Sequence, residues 1–120
     1  MKTYCLALDL KDDPALIEEY RRLHQPGAVW PEVIEHIGRQ GIVSEEIFLL
    51  GTRLVMVLRT TGHFSFEAKA AADQSNPRMQ EWEELMWKFQ QPLPRASPSP
   101  KWVLMEKVFD VEFPVSSDEK

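Results

Sequence analysis

Two apolar runs, 42-IVSEEIFLL-50 and 53-RLVMVLRT-60, stand on either side of Gly51 and Thr52. Paired runs around a short glycine-containing turn read as a β-hairpin. A two-stranded ribbon is marginal alone in water, so it must pair with further strands or pack under helices. The chain offers both. From Thr3 to Leu10 the sequence alternates, with Tyr4, Leu6, Leu8 and Leu10 on one side and Cys5, Ala7 and Asp9 on the other, which is the period of a strand. From Trp102 to Phe113 a long strand is expected, with Val103, Met105, Phe109, Val111 and Phe113 on one side.

The segments between these strands have helical character. Asp12 and Asp13 precede Pro14, a cap followed by proline in the first turn. A helix is expected from there to Leu23 or His24, with Leu16, Tyr20 and Leu23 on one face and Pro26 and Gly27 ending it. Pro31 opens a second, short helix with Val33, Ile34 and Ile37 inward. After the hairpin, Phe64 to Asp73 reads as a helix, interrupted at Ser75, Asn76 and Pro77. Arg78 to Gln90 continues with Met79, Trp82, Leu85, Met86 and Phe89 at helical spacing. Four prolines between Gln91 and Lys101 predict a stiff loop.

The order strand, helices, strand, strand, helix, strand is the split βαβ, or ferredoxin-like, arrangement. The expected fold is therefore α+β: a four-stranded antiparallel sheet with helices on one face, forming one domain over 1–114 and a polar tail over 115–120. Leu54 beside Val55, Val57 beside Leu58 and Trp102 beside Val103 put apolar residues on both faces of the sheet. An apolar face left open needs a cover. A second copy supplies one, so the expectation is a homodimer through the sheet face, a dimeric α+β barrel.

The 120 residues carry a net charge of −5. That argues against nucleic acid, whose binding rests on a basic face. No apolar run reaches the ~18 residues that a membrane span needs, and the first residues lack the cleavage region of a signal peptide. Cys5 is the single cysteine, and a lone thiol in a strand reads as a small buried hydrophobe in a reducing compartment. A cytoplasmic protein is expected, with no membrane partner.

His24, His36 and His63 have no metal-ligand spacing, and glycine-rich phosphate loops are absent. One pair stands out. Tyr20 and His24 lie one helical turn apart on the same face. An imidazole exchanges protons near neutral pH, although a histidine here could equally cap the helix end. In 81-EWEELMWKF-89, Trp82 belongs to the apolar stripe and Trp87 falls off it. Trp87 either packs under the proline loop or offers a flat face to a sugar ring. Glu83 and Glu84 flank the stripe as solvated acids or as site acids. Glu45 and Glu46 interrupt a strand, so one must point to each face. One of them either accepts hydrogen bonds in a pocket or guards a sheet edge.

These residues fit a known pattern. The stretches 20-YRRLHQPGAVWPEV-33, 47-IFLLGTRLVMVL-58 and 80-QEWEELMWKFQQPLP-94 resemble the L-rhamnose mutarotase family, with order and spacing agreeing from about Thr3 to Phe113. The resemblance implies a dimeric ferredoxin-like enzyme without a cofactor that interconverts the anomers of a 6-deoxy-hexose. It implies His24 as proton donor, Tyr20 as a sugar-contacting tyrosine and Trp82 as a sugar-contacting tryptophan. Two positions depart: Glu45 and Glu83 stand where the family's rhamnose enzymes have a tyrosine and a second tryptophan. Both changes replace an aromatic by an acid, and W-E-x-L-M-W-K-F-Q is similar to the subgroup associated with L-fucose. The expected site is thus His24 as the catalytic acid, with Tyr20, Glu45, Trp82, Glu83 and Trp87 binding a monosaccharide. Two rival readings share the fold: a haem-degrading or quinol monooxygenase, and a non-enzymatic small-molecule-binding module.

Overall fold

A computed structural model describes residues 1–94 and 101–115. The elements run β1 (Lys2–Leu10), α1 (Pro14–Leu23), α2 (Pro31–Gly38), β2 (Ile42–Leu50), β3 (Arg53–Thr60), α3 (Phe66–Gln74), α4 (Pro77–Trp87), β4 (Gln90–Gln91) and β5 (Val103–Leu104). The sheet order is β2-β3-β1-β4, with β5 also paired to β1, and every pairing is antiparallel. This is the ferredoxin-like order, with the outermost position shared by two short strands.

The hairpin forms as its sequence requires. Gly51 adopts a φ of 62°, the left-handed region that the turn needs. Gly41 enters β2 with a φ of 82°, and a Cβ there would stand 2.9 Å from the Thr61 Oγ1, so only glycine fits that approach.

Leu6, Leu8 and Leu10 of β1 and Leu54, Met56 and Leu58 of β3 are buried on the helix side of the sheet. Leu10 and Leu54 cluster with Tyr20, Val33, Met79, Trp82, Met86 and Phe89, while Leu6, Met56 and Leu58 cluster with Ile42 and Phe64. Burying side chains of this size stabilises the fold by about 1.5–3 kcal/mol each, before the opposing entropy. The helices start where their caps dictate. Asp13 accepts from the backbone N–H of Ala15 and Leu16, Ser65 from that of Ala68, and Asn76 from that of Met79. Phe64 stays outside α3 and fills the core instead. In α2, Ile34 is exposed rather than inward as its spacing suggests, and His36 is buried with Val33 instead.

The final strand differs from its expected length. Only Val103 and Leu104 pair, opposite Ala7 and Leu6, followed by a Met105 N–H to Cys5 carbonyl hydrogen bond of 2.8 Å. Beyond it, Val108, Phe109, Val111, Phe113 and Val115 are exposed. Their alternation suits a strand, but a strand also needs a neighbour to receive its N–H and C=O groups, and the described residues of one chain offer none there. On the open sheet face Phe48 and Leu50 are exposed and Val55 and Val57 half-buried. No helix among the described residues is long and apolar enough to cross a membrane. The expected proline loop falls largely on residues 95–100 and the tail on 116–120, outside the described residues.

Candidate active site

A cavity of about 860 Å³ opens between the helices and the inner face of the sheet. Small-molecule sites range over about 300–1,000 Å³. Its walls are mainly apolar, with Ile37, Ile47, Met56, Met79, Met86 and Trp102 among them. The polar groups on it are few: Tyr20, His24, Ser44, Glu45, Lys69, Asp73, Glu83 and Gln90.

His24 is the C-cap of α1, and its Nδ1 lies 2.7 Å from the backbone carbonyl of Tyr20. A carbonyl oxygen only accepts, so Nδ1 carries the hydrogen. The neutral ring therefore keeps its lone pair on Nε2. The ring stacks at 4.2 Å on Tyr20 and meets Trp82 edge-on at 5.7 Å, and Trp82 meets Trp30 at 5.1 Å. Burial lowers the His24 pKa from 6.5, against the opposing pull of the Tyr20 carbonyl.

Glu45 and Glu46 part as the strand period demands. Glu46 turns to the open face and pairs with Arg59 at 2.9 Å, while Glu45 faces the cavity. The Glu45 carboxyl is enclosed by protein, and that burial raises its pKa from 4.5. Lys69 opposes the shift; Glu83 and Asp73 reinforce it. Tyr20 is buried, and its phenol pKa is pushed up to about 12, chiefly by desolvation. It thus stays a hydroxyl at any physiological pH. The Gln90 Nε2 donates to the Tyr20 oxygen at 3.3 Å.

Two ion pairs border the carboxylates. The Glu83 Oε2 lies 2.8 Å from the Lys101 Nζ, and the Lys101 side chain is only 11% exposed. Burial lowers the Lys101 pKa, and Glu83 resists that shift. Lys69 Nζ lies 2.6 Å from Asp73 Oδ2. Burial alone would raise the Asp73 carboxyl, yet Lys69, Gln40 and His36 together hold it below 3.8.

His36 is a structural histidine. Asn76 Oδ1 caps α4 by accepting from the Met79 N–H at 3.0 Å, so the amide Nδ2 faces His36 and donates to its Nδ1 at 3.1 Å. The hydrogen then sits on Nε2, which donates to Asp73 at 2.7 Å. Neither ring nitrogen is left for a substrate.

The structure thus brings Tyr20, His24, Glu45, Trp82 and Glu83 to one cavity. Trp87 is not on its wall. It is 38% exposed at the end of α4, with the Lys101 ammonium 4.9 Å from its ring centroid. Lys69, Asp73, Gln90 and Lys101 were not anticipated. Lys69 and Asp73 form an i,i+4 pair on an otherwise alanine-rich helix, a readable signal. Gln90 and Lys101 carry no such signal, because neither lies on a long element. Among the described residues no group of three or more His, Cys, Asp or Glu is placed to hold a metal ion.

The family model for L-rhamnose mutarotase matches residues 3–111, nearly the whole chain. The chain belongs to the L-rhamnose mutarotase family. Within this relationship, the L-fucose mutarotase of Xanthomonas campestris pv. campestris is 45% identical over 116 residues, covering 97% of this chain and 93% of that protein. A UPF0734 protein of Dictyostelium discoideum is 37% identical, covering 93% of this chain and 91% of that protein. The crystal structure of the L-rhamnose mutarotase of Formosa agariphila superposes with a TM-score of 0.68 at 19% identity, covering 93% of this chain and all (100%) of that one. Tetracenomycin F2 cyclase of Streptomyces glaucescens superposes with 0.67 at 15%, covering 95% of this chain and 100% of that one. At such identities the two structures bear on the fold alone. A mutarotase and a polyketide cyclase on one scaffold underline that the site must carry the function.

Proposed function

We propose that this member of the family is a mutarotase of a 6-deoxy-hexose, with L-fucose preferred over L-rhamnose, and that His24 and Glu45 are its proton-transfer pair. One observation carries the reading: the imidazole and the carboxyl line the same cavity, and burial drives both towards their neutral forms. A neutral base and a neutral acid are what opening a hemiacetal requires. The Nε2 lone pair of His24 takes the proton of the anomeric hydroxyl. Glu45 gives its proton to the ring oxygen as the bond from C1 to that oxygen breaks. The free aldehyde turns about the C1–C2 bond. The new hydroxyl attacks C1 from the other side, returns its proton to Glu45, and the His24 imidazolium returns its own to the anomeric oxygen. Both groups end as they began. His24 is thus a base in opening and the proton donor in closing, which accommodates the donor role that the resemblance implies. General acid–base catalysis of this kind contributes about 10²–10⁴-fold.

Tyr20 donates its hydroxyl hydrogen to the sugar, Glu83 accepts from sugar hydroxyls, and the edge and face of Trp82 lie against the apolar side of the ring. The preference for L-fucose rests on the 45% identity to an L-fucose mutarotase and on the acids at 45 and 83. Trp87, off the cavity wall, supports the site only through Lys101.

The assembly we propose is a homodimer through the open sheet face. The exposed Phe48 and Leu50 on that face, and the exposed apolar residues following β5, support it: both need a cover, and a second copy covers both at once. The lone Cys5 is consistent with a cytoplasmic setting.

The test is saturation transfer between the α and β anomeric protons, read by NMR with L-fucose, L-rhamnose and D-galactose in parallel. The protein should accelerate exchange of L-fucose most. Exchange no faster than in buffer for all three sugars would remove the reading.

A further inference from the structure

Gln90, the first residue of β4, is 3% exposed and lines the cavity beside Tyr20 and His24. Its backbone belongs to the sheet, opposite Leu10, and any residue could serve there. The side chain is harder to explain. It lines the same cavity as Met86 and Trp82, and its neighbour in sequence, Phe89, has no exposed surface. A methionine or leucine would fill such a place without the penalty of a buried amide. Instead the amide spends one hydrogen on the Tyr20 oxygen at 3.3 Å, and its buried Oε1 has no hydrogen-bond partner among the described residues. Unpaired buried polar atoms are rare and call for a reason.

The reason lies in what the pair presents. Because the Tyr20 oxygen already receives a hydrogen from Gln90, the phenol's own hydrogen is free to turn into the cavity. The Gln90 Oε1 is free as an acceptor. One donor and one acceptor stand side by side. The outcome is the same if the amide is turned over. The phenol then donates to Oε1, the phenol oxygen becomes the free acceptor and the amide N–H the free donor. Either way the pair is complementary to one alcohol group, which both accepts and donates. The phenol keeps its hydrogen throughout, since its pKa lies near 12.

We propose that Gln90 is a substrate-binding residue, acting with Tyr20 as a clamp for one secondary hydroxyl of the sugar ring. The proposal rests on the mutarotase reading. The clamp contacts a hydroxyl that does not react, so it binds ground state and transition state alike. It also discriminates. A site with buried polar groups rejects an analogue that leaves them unpaired far more strongly than an apolar pocket rejects an added hydroxyl.

The experiment compares the wild-type protein with Gln90→Met and Gln90→Asn. Anomer exchange is followed over a range of L-fucose concentrations, and thermal midpoints are recorded with and without the sugar. Gln90→Met should raise KM about tenfold, the size of one lost hydrogen bond, with kcat held within about threefold. Its midpoint without sugar should equal or exceed that of wild type, since the unpaired amide is gone, while the rise on adding L-fucose shrinks. Gln90→Asn, which retracts the amide by one methylene, should raise KM similarly. Among monodeoxy analogues of L-fucose, the one lacking the clamped hydroxyl should bind wild type poorly and Gln90→Met no worse than L-fucose does. An unchanged KM in both variants overturns the proposal. So does a loss of midpoint together with a parallel fall in kcat, which is the mark of a structural glutamine. Wild type that exchanges anomers while the variants match it removes the clamp alone; wild type that exchanges none removes the mutarotase reading, and the clamp with it.

Discussion

Replacing His24 by Asn separates what the imidazole holds from what it transfers. The asparagine Nδ2 occupies the place of Nδ1 and can still donate to the Tyr20 carbonyl, a contact of 2.7 Å in the native ring. It has nothing in the place of Nε2. The structural loss is then the ring's packing on Tyr20 at 4.2 Å and against Trp82 at 5.7 Å. Aromatic contacts of this kind are worth about 0.5–1.5 kcal/mol beyond their area. For a domain of this length such a loss lowers the thermal midpoint by roughly 2–8 °C. The catalytic loss is of a different order. Removing a proton-transfer group costs about 10²–10⁴-fold in kcat/KM, or about 2.7–5.5 kcal/mol of transition-state stabilisation. The assay pairs saturation-transfer exchange of L-fucose with a thermal melt of the same sample. His24→Ala should lose as much activity and more stability, because it also gives up the tether to the carbonyl. A folded His24→Asn protein that retains exchange within about tenfold of wild type would refute the assignment.

Further outcomes follow from the charges in and around the cavity. The acid limb of kcat/KM should fall below pH 6.5, because the folded His24 pKa is depressed and protonation removes the base; an acid limb above 6.5 contradicts this. The alkaline limb should lie above 4.5, set by the raised Glu45 carboxyl, and Glu45→Gln should abolish that limb while leaving the acid one. Lys101→Met leaves Glu83 uncompensated near Glu45, so the alkaline limb should move to higher pH; the same profile in variant and wild type would show that Lys101 does not act through these carboxylates. His36→Leu takes one partner from Asp73, which keeps Lys69 and Gln40, and leaves the Asn76 amide nitrogen without its acceptor, so it should cost about 1–3 kcal/mol in urea denaturation. The Asp73 carboxyl is held below 3.8 in the fold, so it adds stability above that pH and loses it on acidification through the depressed value. In His36→Leu that acid loss should shrink.

The strands and helices were legible because their periods differ and their ends carry marks. Pro14 after Asp13, Pro77 after Asn76 and Gly51 in the hairpin each appear where the caps and the turn need them. The division of Glu45 from Glu46 followed from the pleat alone. The last strand is shorter than its alternation predicts. Alternation from Val103 to Phe113 describes which side chains share a face, but pairing depends on a neighbour that no periodicity supplies. At the site, the Tyr20 and His24 pair was visible because one helical turn joins them. Gln90 was not, since it reads as the end of α4 and its meaning appears only when β4 places it against a phenol 70 positions away in sequence. Lys101 was hidden likewise, because its partner is a carboxylate on another element. Trp87 is the reverse case. Its position off the apolar stripe was real, but the face it leaves turns towards Lys101 and solvent rather than into the cavity.

The central claim is that a sugar lies between Glu45 and His24 with its hemiacetal presented to both. The most direct measurement is a crystal structure of His24→Asn soaked with L-fucose, the variant chosen so that bound sugar turns over slowly. A pyranose should occupy the cavity of about 860 Å³, its ring oxygen within about 3.2 Å of a Glu45 oxygen and its anomeric hydroxyl turned to the place left by the imidazole Nε2. A sugar bound with its anomeric carbon away from both residues, or bound outside this cavity, would contradict it.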